Sequence, residues 1–75
     1  MTMTDVRNNR VALSTVGLDD EMIIAMTPAE INAYFTRDNF IALFGECDLS
    51  DSELATWRMA AGGQKFLLEN LDQLV

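Results

Sequence analysis

Histidine is absent from the 75 residues of this chain, and lysine occurs once, as Lys65. General acid–base catalysis near neutral pH relies mostly on histidine, so neither a Ser-His-Asp nor a Cys-His set can be assembled. The stretch Gly62–Lys65 lacks the first glycine and the final hydroxyl residue of a phosphate-binding loop. We therefore expect no catalytic residues, no cofactor and no enzymatic activity.

Cysteine also occurs only once, as Cys47. A single cysteine excludes an internal disulfide, and without histidine no zinc site of Cys and His ligands can form. We predict a half-buried loop cysteine in a reducing, cytoplasmic setting. No apolar run approaches the roughly 20 residues of a transmembrane helix, and the polar start lacks the apolar core of a secretory signal, so we expect no membrane association.

Basic residues are scarce, since twelve acids face five bases and give a net charge of −7. Direct binding of nucleic acid or anionic membranes needs clustered Lys and Arg, so neither is expected. The acidity suits a basic protein partner, although solubility alone also explains it. A chain of this size buries only about 60% of its surface on folding, so a homodimer or a larger partner would stabilise it.

Helix-capping signals divide the chain, and they predict an all-α, small orthogonal bundle of about four to five short helices. Asp19 is suited to cap a helix that runs through Met26. Thr27-Pro28-Ala29-Glu30 is a capping box with proline at the first helical position, and Ser50 with Glu53 forms a second box. Between these helices the sequence predicts an apolar cluster over residues 40–44 that Gly45 ends, followed by a loop over residues 46–50.

Two further predictions concern the start of the chain and the glycine pair. Residues 1–8 are expected to form a flexible N-terminal arm, with residues 9–75 as a single helical domain. Asn8 and Asn9 precede a short helix over residues 10–16 that Gly17 ends. The alternation of Val11, Leu13 and Thr15 would also suit a strand. The pair Gly62-Gly63 costs about 2 kcal/mol inside a helix, which favours a break there. The alternative is a continuous helix, because apolar spacing of three and four residues carries on from Leu54 through Leu68.

An acidic stretch over residues 46–53 is the most distinctive local feature. A calcium loop would need a central glycine and a bidentate glutamate at its end; the stretch lacks the glycine, and its terminal glutamate is misplaced. A solvated loop that leads into a helix cap explains these acids better. A metal site or enzyme built on these carboxylates is therefore the third alternative, and no metal ligand is assigned.

We interpret the chain first as a small acidic non-enzymatic protein-binding module, an inhibitor or adaptor encoded by a bacterium or phage. Surplus aromatics beside exposed acids would suit a basic partner. The second hypothesis is a DNA-mimic or anti-defence protein that blocks a nucleic-acid-binding protein. The predicted partner-binding residues are Tyr34, Phe40, Glu46, Asp48, Asp51, Glu53, Trp57 and Arg58.

Two segments resemble a known family. Residues 27–39 read Thr-Pro-Ala-Glu-Ile-Asn-Ala-Tyr-Phe-Thr-Arg-Asp-Asn, and residues 50–57 read Ser-Asp-Ser-Glu-Leu-Ala-Thr-Trp. Both are similar to segments of the bacterial YehS-like family, the second to its Ser-Asp-x-x-Leu-Ala-x-aromatic helix. The family's intervening loop and basic ends are not matched. Since that family has no established activity, the resemblance implies a small helical domain and no functional residues.

Overall fold

Five α-helices make up most of the structure, which is a computed structural model that describes residues 2–74. No strand occurs among those residues, so the predicted all-α class is confirmed. A short 3-10 helix at Leu71–Gln73 follows the last α-helix. The α-helices are α1 (Met3–Ser14), α2 (Asp20–Ala25), α3 (Pro28–Tyr34), α4 (Arg37–Phe44) and α5 (Asp51–Glu69).

Side-chain caps set the starts of α2, α3 and α5, as the sequence predicts. The Asp19 carboxylate accepts the Met22 N–H at 2.8 Å. In front of α3, the Thr27 hydroxyl accepts the Glu30 N–H at 3.1 Å, and the Glu30 carboxylate accepts the Thr27 N–H at 2.9 Å. A second reciprocal pair opens α5. These bonds satisfy amide groups that a helix start otherwise leaves unpaired.

The first helix begins earlier than expected, so the flexible arm over residues 1–8 is corrected. Thr2 and Asp5 form a third capping box, and α1 starts at Met3 with both asparagines inside it. Val6 is fully buried in this first part of the helix. Burial of an apolar side chain stabilises a helical segment that local propensity alone leaves marginal. Residue 1 lies outside the described residues.

The predicted break at Gly62-Gly63 is wrong, and the continuous helix is the correct alternative as far as Glu69. Helix α5 runs through the pair for 19 residues. Ala61, Gln64 and Leu67 are buried on either side of the pair. Packing of these side chains outweighs the roughly 2 kcal/mol that two glycines cost in a helix interior.

Helices α1, α2 and α3 all pack against α5, which makes it the central element of the fold. Phe35 is fully buried, and its ring stacks on Trp57 of α5 at a centroid distance of 6.1 Å. The core therefore lies along one side of α5. Its buried members are Leu13, Val16, Leu18, Ile23, Ile31, Phe35, Phe40, Leu54 and Ala61.

One polar side chain, Gln64, lies within this apolar surrounding with 0% exposure. Its Nε2 donates to the Val6 carbonyl and to the Asp20 carboxylate, both at 3.1 Å. Asp20 also accepts from Arg10 at 2.6 Å. Gln64 thus joins α1 and α2 to α5, while its Oε1 is a buried side-chain atom without a hydrogen-bond partner in the described part of the chain.

We expect Gln64→Glu to destabilise the fold by about 3 kcal/mol at pH 7, because it buries a second carboxylate beside Asp20 and removes the shared donor. The loss should shrink near pH 4, where the protonated acid can donate again. Urea unfolding at pH 7 and pH 4 measures this loss of stability. Gln73→Glu, at an exposed position, is the matched control and should change stability by less than about 0.5 kcal/mol. Equal losses in the two variants would contradict this role for Gln64.

Candidate functional site

A cleft of about 210 Å³ opens where the end of α4, the turn between α1 and α2, and the loop after α4 meet. We call it the acidic cleft. Apolar atoms come from Val16 and from two phenylalanines of α4, and carboxylates come from the loop. Its lining residues are Thr15, Val16, Phe40, Phe44, Glu46, Cys47 and Asp48.

Phe44 is the exposed aromatic of the cleft. Its ring contacts Phe40 edge to face at 5.3 Å, yet half of the residue's surface is exposed. Gly45 follows with a φ of +84°, a left-handed conformation that ends α4 and that other residues rarely adopt. Helix α4 therefore ends directly after Phe44, and the acidic loop begins beside it.

Arg37 holds the loop that forms the acidic edge. Its guanidinium donates to the Cys47 carbonyl at 3.5 Å and to the Asp51 carboxylate at 3.1 Å. Cys47 is half-buried, as predicted. Glu46 and Asp48 are exposed, and within residues 2–74 neither forms an ion pair. The loop therefore presents two carboxylates whose charge no base in that range neutralises by direct contact.

The acidic cleft brings together three of the predicted partner-binding residues, Phe40, Glu46 and Asp48. Asp51 lies just beyond the loop in its ion pair with Arg37. Glu53 serves the capping box of α5. The four acidic residues among the predicted partner-binding residues thus lie at the acidic cleft or at the start of α5 that follows it.

Tyr34, Trp57 and Arg58 do not line this cleft, and each is engaged within the fold. The Tyr34 hydroxyl donates to the Val16 carbonyl. This bond stabilises the turn between α1 and α2, which forms one wall of the cleft. Trp57 stacks on Phe35, and Arg58 donates to the Phe35 carbonyl at 2.7 Å. Burial raises the pKa of Tyr34. As partner-binding residues these three stay predictions.

Sequence reasoning missed Thr15, Val16, Phe44 and Cys47 as lining residues. The position of Phe44, directly before a helix-ending glycine and the acidic stretch, was a usable signal. Nothing in the sequence links the turn at Thr15 and Val16 to that loop, because only tertiary packing brings the two together.

The basic side chains are spread among the acids rather than gathered on a separate face. Three of the five bases form ion pairs: Arg10 with Asp20 at 2.6 Å, Arg37 with Asp51 at 3.1 Å, and Lys65 with Glu69 at 3.7 Å. An imitation of a phosphate backbone needs uninterrupted negative charge along one face. These pairs interrupt such a face.

Within residues 2–74, no group of three or more His, Cys, Asp or Glu side chains is arranged to hold a metal ion. No helix in that range has the length and apolar character that crossing a membrane requires. Comparison of the chain with protein-family models, curated proteins and solved structures yields no match. The resemblance to the YehS-like family stays a prediction.

The lowered pKa values of two capping carboxylates allow a prediction of how the stability of the fold depends on pH. Hydrogen bonds from the backbone and side chain of Thr27 lower the pKa of Glu30 below its ordinary 4.5, and those from Ser50 do the same for the pKa of Glu53. Because the folded pKa values are lowered, this stabilisation is complete above pH 4.5 and is lost as the pH falls through the folded values.

In the double variant Glu30→Gln/Glu53→Gln, the amides keep a capping geometry but do not titrate. We expect its urea midpoint to fall less between pH 6 and pH 3 than that of the unsubstituted protein. The control is Glu46→Gln, at an exposed loop position, which should keep the full decrease. If the urea midpoint of the double variant fell as much as that of the unsubstituted protein, the two caps would be excluded as the source of the pH dependence.

Proposed function

We propose that this protein is a small non-enzymatic protein-binding module, acting as an inhibitor or adaptor, and that the acidic cleft binds a basic segment of its partner. The observation that carries this proposal is the pairing of a half-exposed Phe44 with the exposed carboxylates of Glu46 and Asp48 at one opening. Aromatic residues are enriched at protein interfaces, and complementary charge steers two partners together.

The cleft defines the chemistry of a suitable ligand. A volume of about 210 Å³ with Phe40 and Phe44 on its wall accommodates one aliphatic or aromatic side chain. Lys or Arg residues flanking that side chain would reach Glu46 and Asp48. Since these carboxylates are exposed to water, they contribute mainly to association rate and orientation, and the apolar contact contributes most of the affinity.

The hypothesis of a DNA mimic stays a prediction from net charge, and no contact in the described residues favours it over the acidic cleft. A bacterial or phage source and a cytoplasmic location likewise stay predictions from the sequence. The protein-binding proposal depends on none of them, because it is argued from the acidic cleft alone.

A peptide-display library selected on the protein tests the proposal. We expect enriched peptides to carry an apolar residue flanked by Lys or Arg. Phe44→Ala should weaken the binding of a selected peptide at least about tenfold, as loss of an aromatic anchor does. Glu46→Gln/Asp48→Gln should also reduce the salt dependence of the dissociation constant, because fewer charge contacts are then screened. Fluorescence anisotropy at several salt concentrations measures both effects.

Two matched controls make the test specific. Ile24→Ala removes an apolar side chain of similar accessibility, 49% exposed, that does not line the acidic cleft. Glu21→Gln/Asp72→Asn removes two exposed acids that lie outside the cleft lining. Both control variants should bind the selected peptide as the unsubstituted protein does. Enrichment of peptides without basic residues, or equal binding by Phe44→Ala, would overturn the proposal.

A further inference from the structure

The outward face of α5 is apolar, although a surface helix normally turns polar side chains to water. Met59 is 76% exposed and Phe66 is 55% exposed, and they lie one heptad apart on the side opposite the buried Ala61. Gly62 and Gly63 lie between them. No charged side chain interrupts this strip over two helical turns.

Neither backbone conformation nor packing within the described part of the chain requires the glycine pair. Both glycines have ordinary negative φ angles, and a Cβ added at either one would meet nothing within 4 Å. Alanine would therefore fit, and would avoid about 1 kcal/mol of lost helix stability at each position. Glycine in a helix interior is instead suited to the close approach of another backbone.

The strip is symmetric about the glycine pair. Met59 lies three residues before Gly62, and Phe66 lies three residues after Gly63. When two copies of α5 cross antiparallel at the glycines, Met59 of each copy faces Phe66 of the other. We propose that this face binds a second copy of the chain in such a twofold arrangement, which needs only one self-complementary surface.

A cleft beside the strip provides space for the incoming side chain. It has a volume of about 200 Å³, lies between α3 and α5, and is lined in part by Pro28, Ile31, Gly62 and Phe66. Methionine is flexible enough to fill such a space, and its sulfur packs favourably against an aromatic ring. Met59 of the second copy enters this cleft next to Phe66.

Charge permits two copies to approach through this face. With a net charge of −7 each, two copies repel one another at most surfaces. At the cleft between α3 and α5 the acids do not outnumber the bases, because Arg58 and Lys65 lie at its edge with one acid, Glu69, and Glu69 pairs with Lys65 of its own chain at 3.7 Å. This edge therefore lacks the excess of negative charge that the chain carries as a whole.

Sedimentation velocity over a concentration series tests the proposal, with Gly62→Leu as the decisive variant. Leucine at this position should raise the melting temperature, because it favours the helix and its Cβ meets nothing within 4 Å. It should also weaken dimerisation about a hundredfold by holding the two backbones apart. Met59→Glu should weaken dimerisation to a similar extent, whereas Val11→Glu, an equally exposed control on α1, should not.

The orientation is tested by disulfide formation in a Cys47→Ser background with oxidised glutathione as the oxidant. A mixture of Met59→Cys chains and Phe66→Cys chains should form more crosslinked dimer than either variant alone. The proposal is overturned by a chain that stays monomeric up to about 1 mM, a concentration at which even a weak specific dimer forms. It is also overturned if Gly62→Leu keeps the dimer, or if like chains crosslink more readily than unlike ones.

Discussion

Packing against one side of α5 is the constraint on which the rest of the structure depends. Helices α1, α2 and α3 are each too short to be stable alone, and each buries its apolar residues against this helix. Gln64 adds directional bonds to that packing, because its amide joins the Val6 carbonyl and the Asp20 carboxylate. A chain of this size has room for only one such core, so its remaining apolar side chains stay at the surface.

The acidity of the chain divides into a structural part and a remainder. Asp5, Asp19, Glu30 and Glu53 accept hydrogen bonds at helix starts, where negative charge also interacts favourably with the helix dipole. Other acids are paired with bases. Five acids belong to neither group, and three of them, Glu21, Asp38 and Asp72, lie in the first turns of helices. The other two, Glu46 and Asp48, lie beside the half-exposed ring of Phe44. These two are therefore the acids that suit a basic partner at the acidic cleft.

Two surfaces of different character follow from this arrangement. The acidic cleft combines an aromatic anchor with carboxylates, which suits a basic segment of another protein. The outward face of α5 is neutral and symmetric about Gly62-Gly63, which suits a second copy. The two surfaces share no lining residue, so a dimer would present two acidic clefts and gain avidity for a partner with repeated basic segments.

Local chemistry in the sequence by itself determined where four helices start or end. The hydroxyl and carboxylate caps and Gly45 act within a few residues, so they can be read without the fold. It also indicated Phe40, Glu46 and Asp48 of the candidate site, but not Phe44 and Cys47, which line the same cleft. Only the tertiary structure decided that α1 begins at Met3 and that α5 continues through Gly62-Gly63. It also decided that Tyr34 bonds to Val16 and Trp57 stacks on Phe35, while Phe44 is exposed. Each of these depends on which side chains are buried by distant parts of the chain, and that burial outweighs local preference.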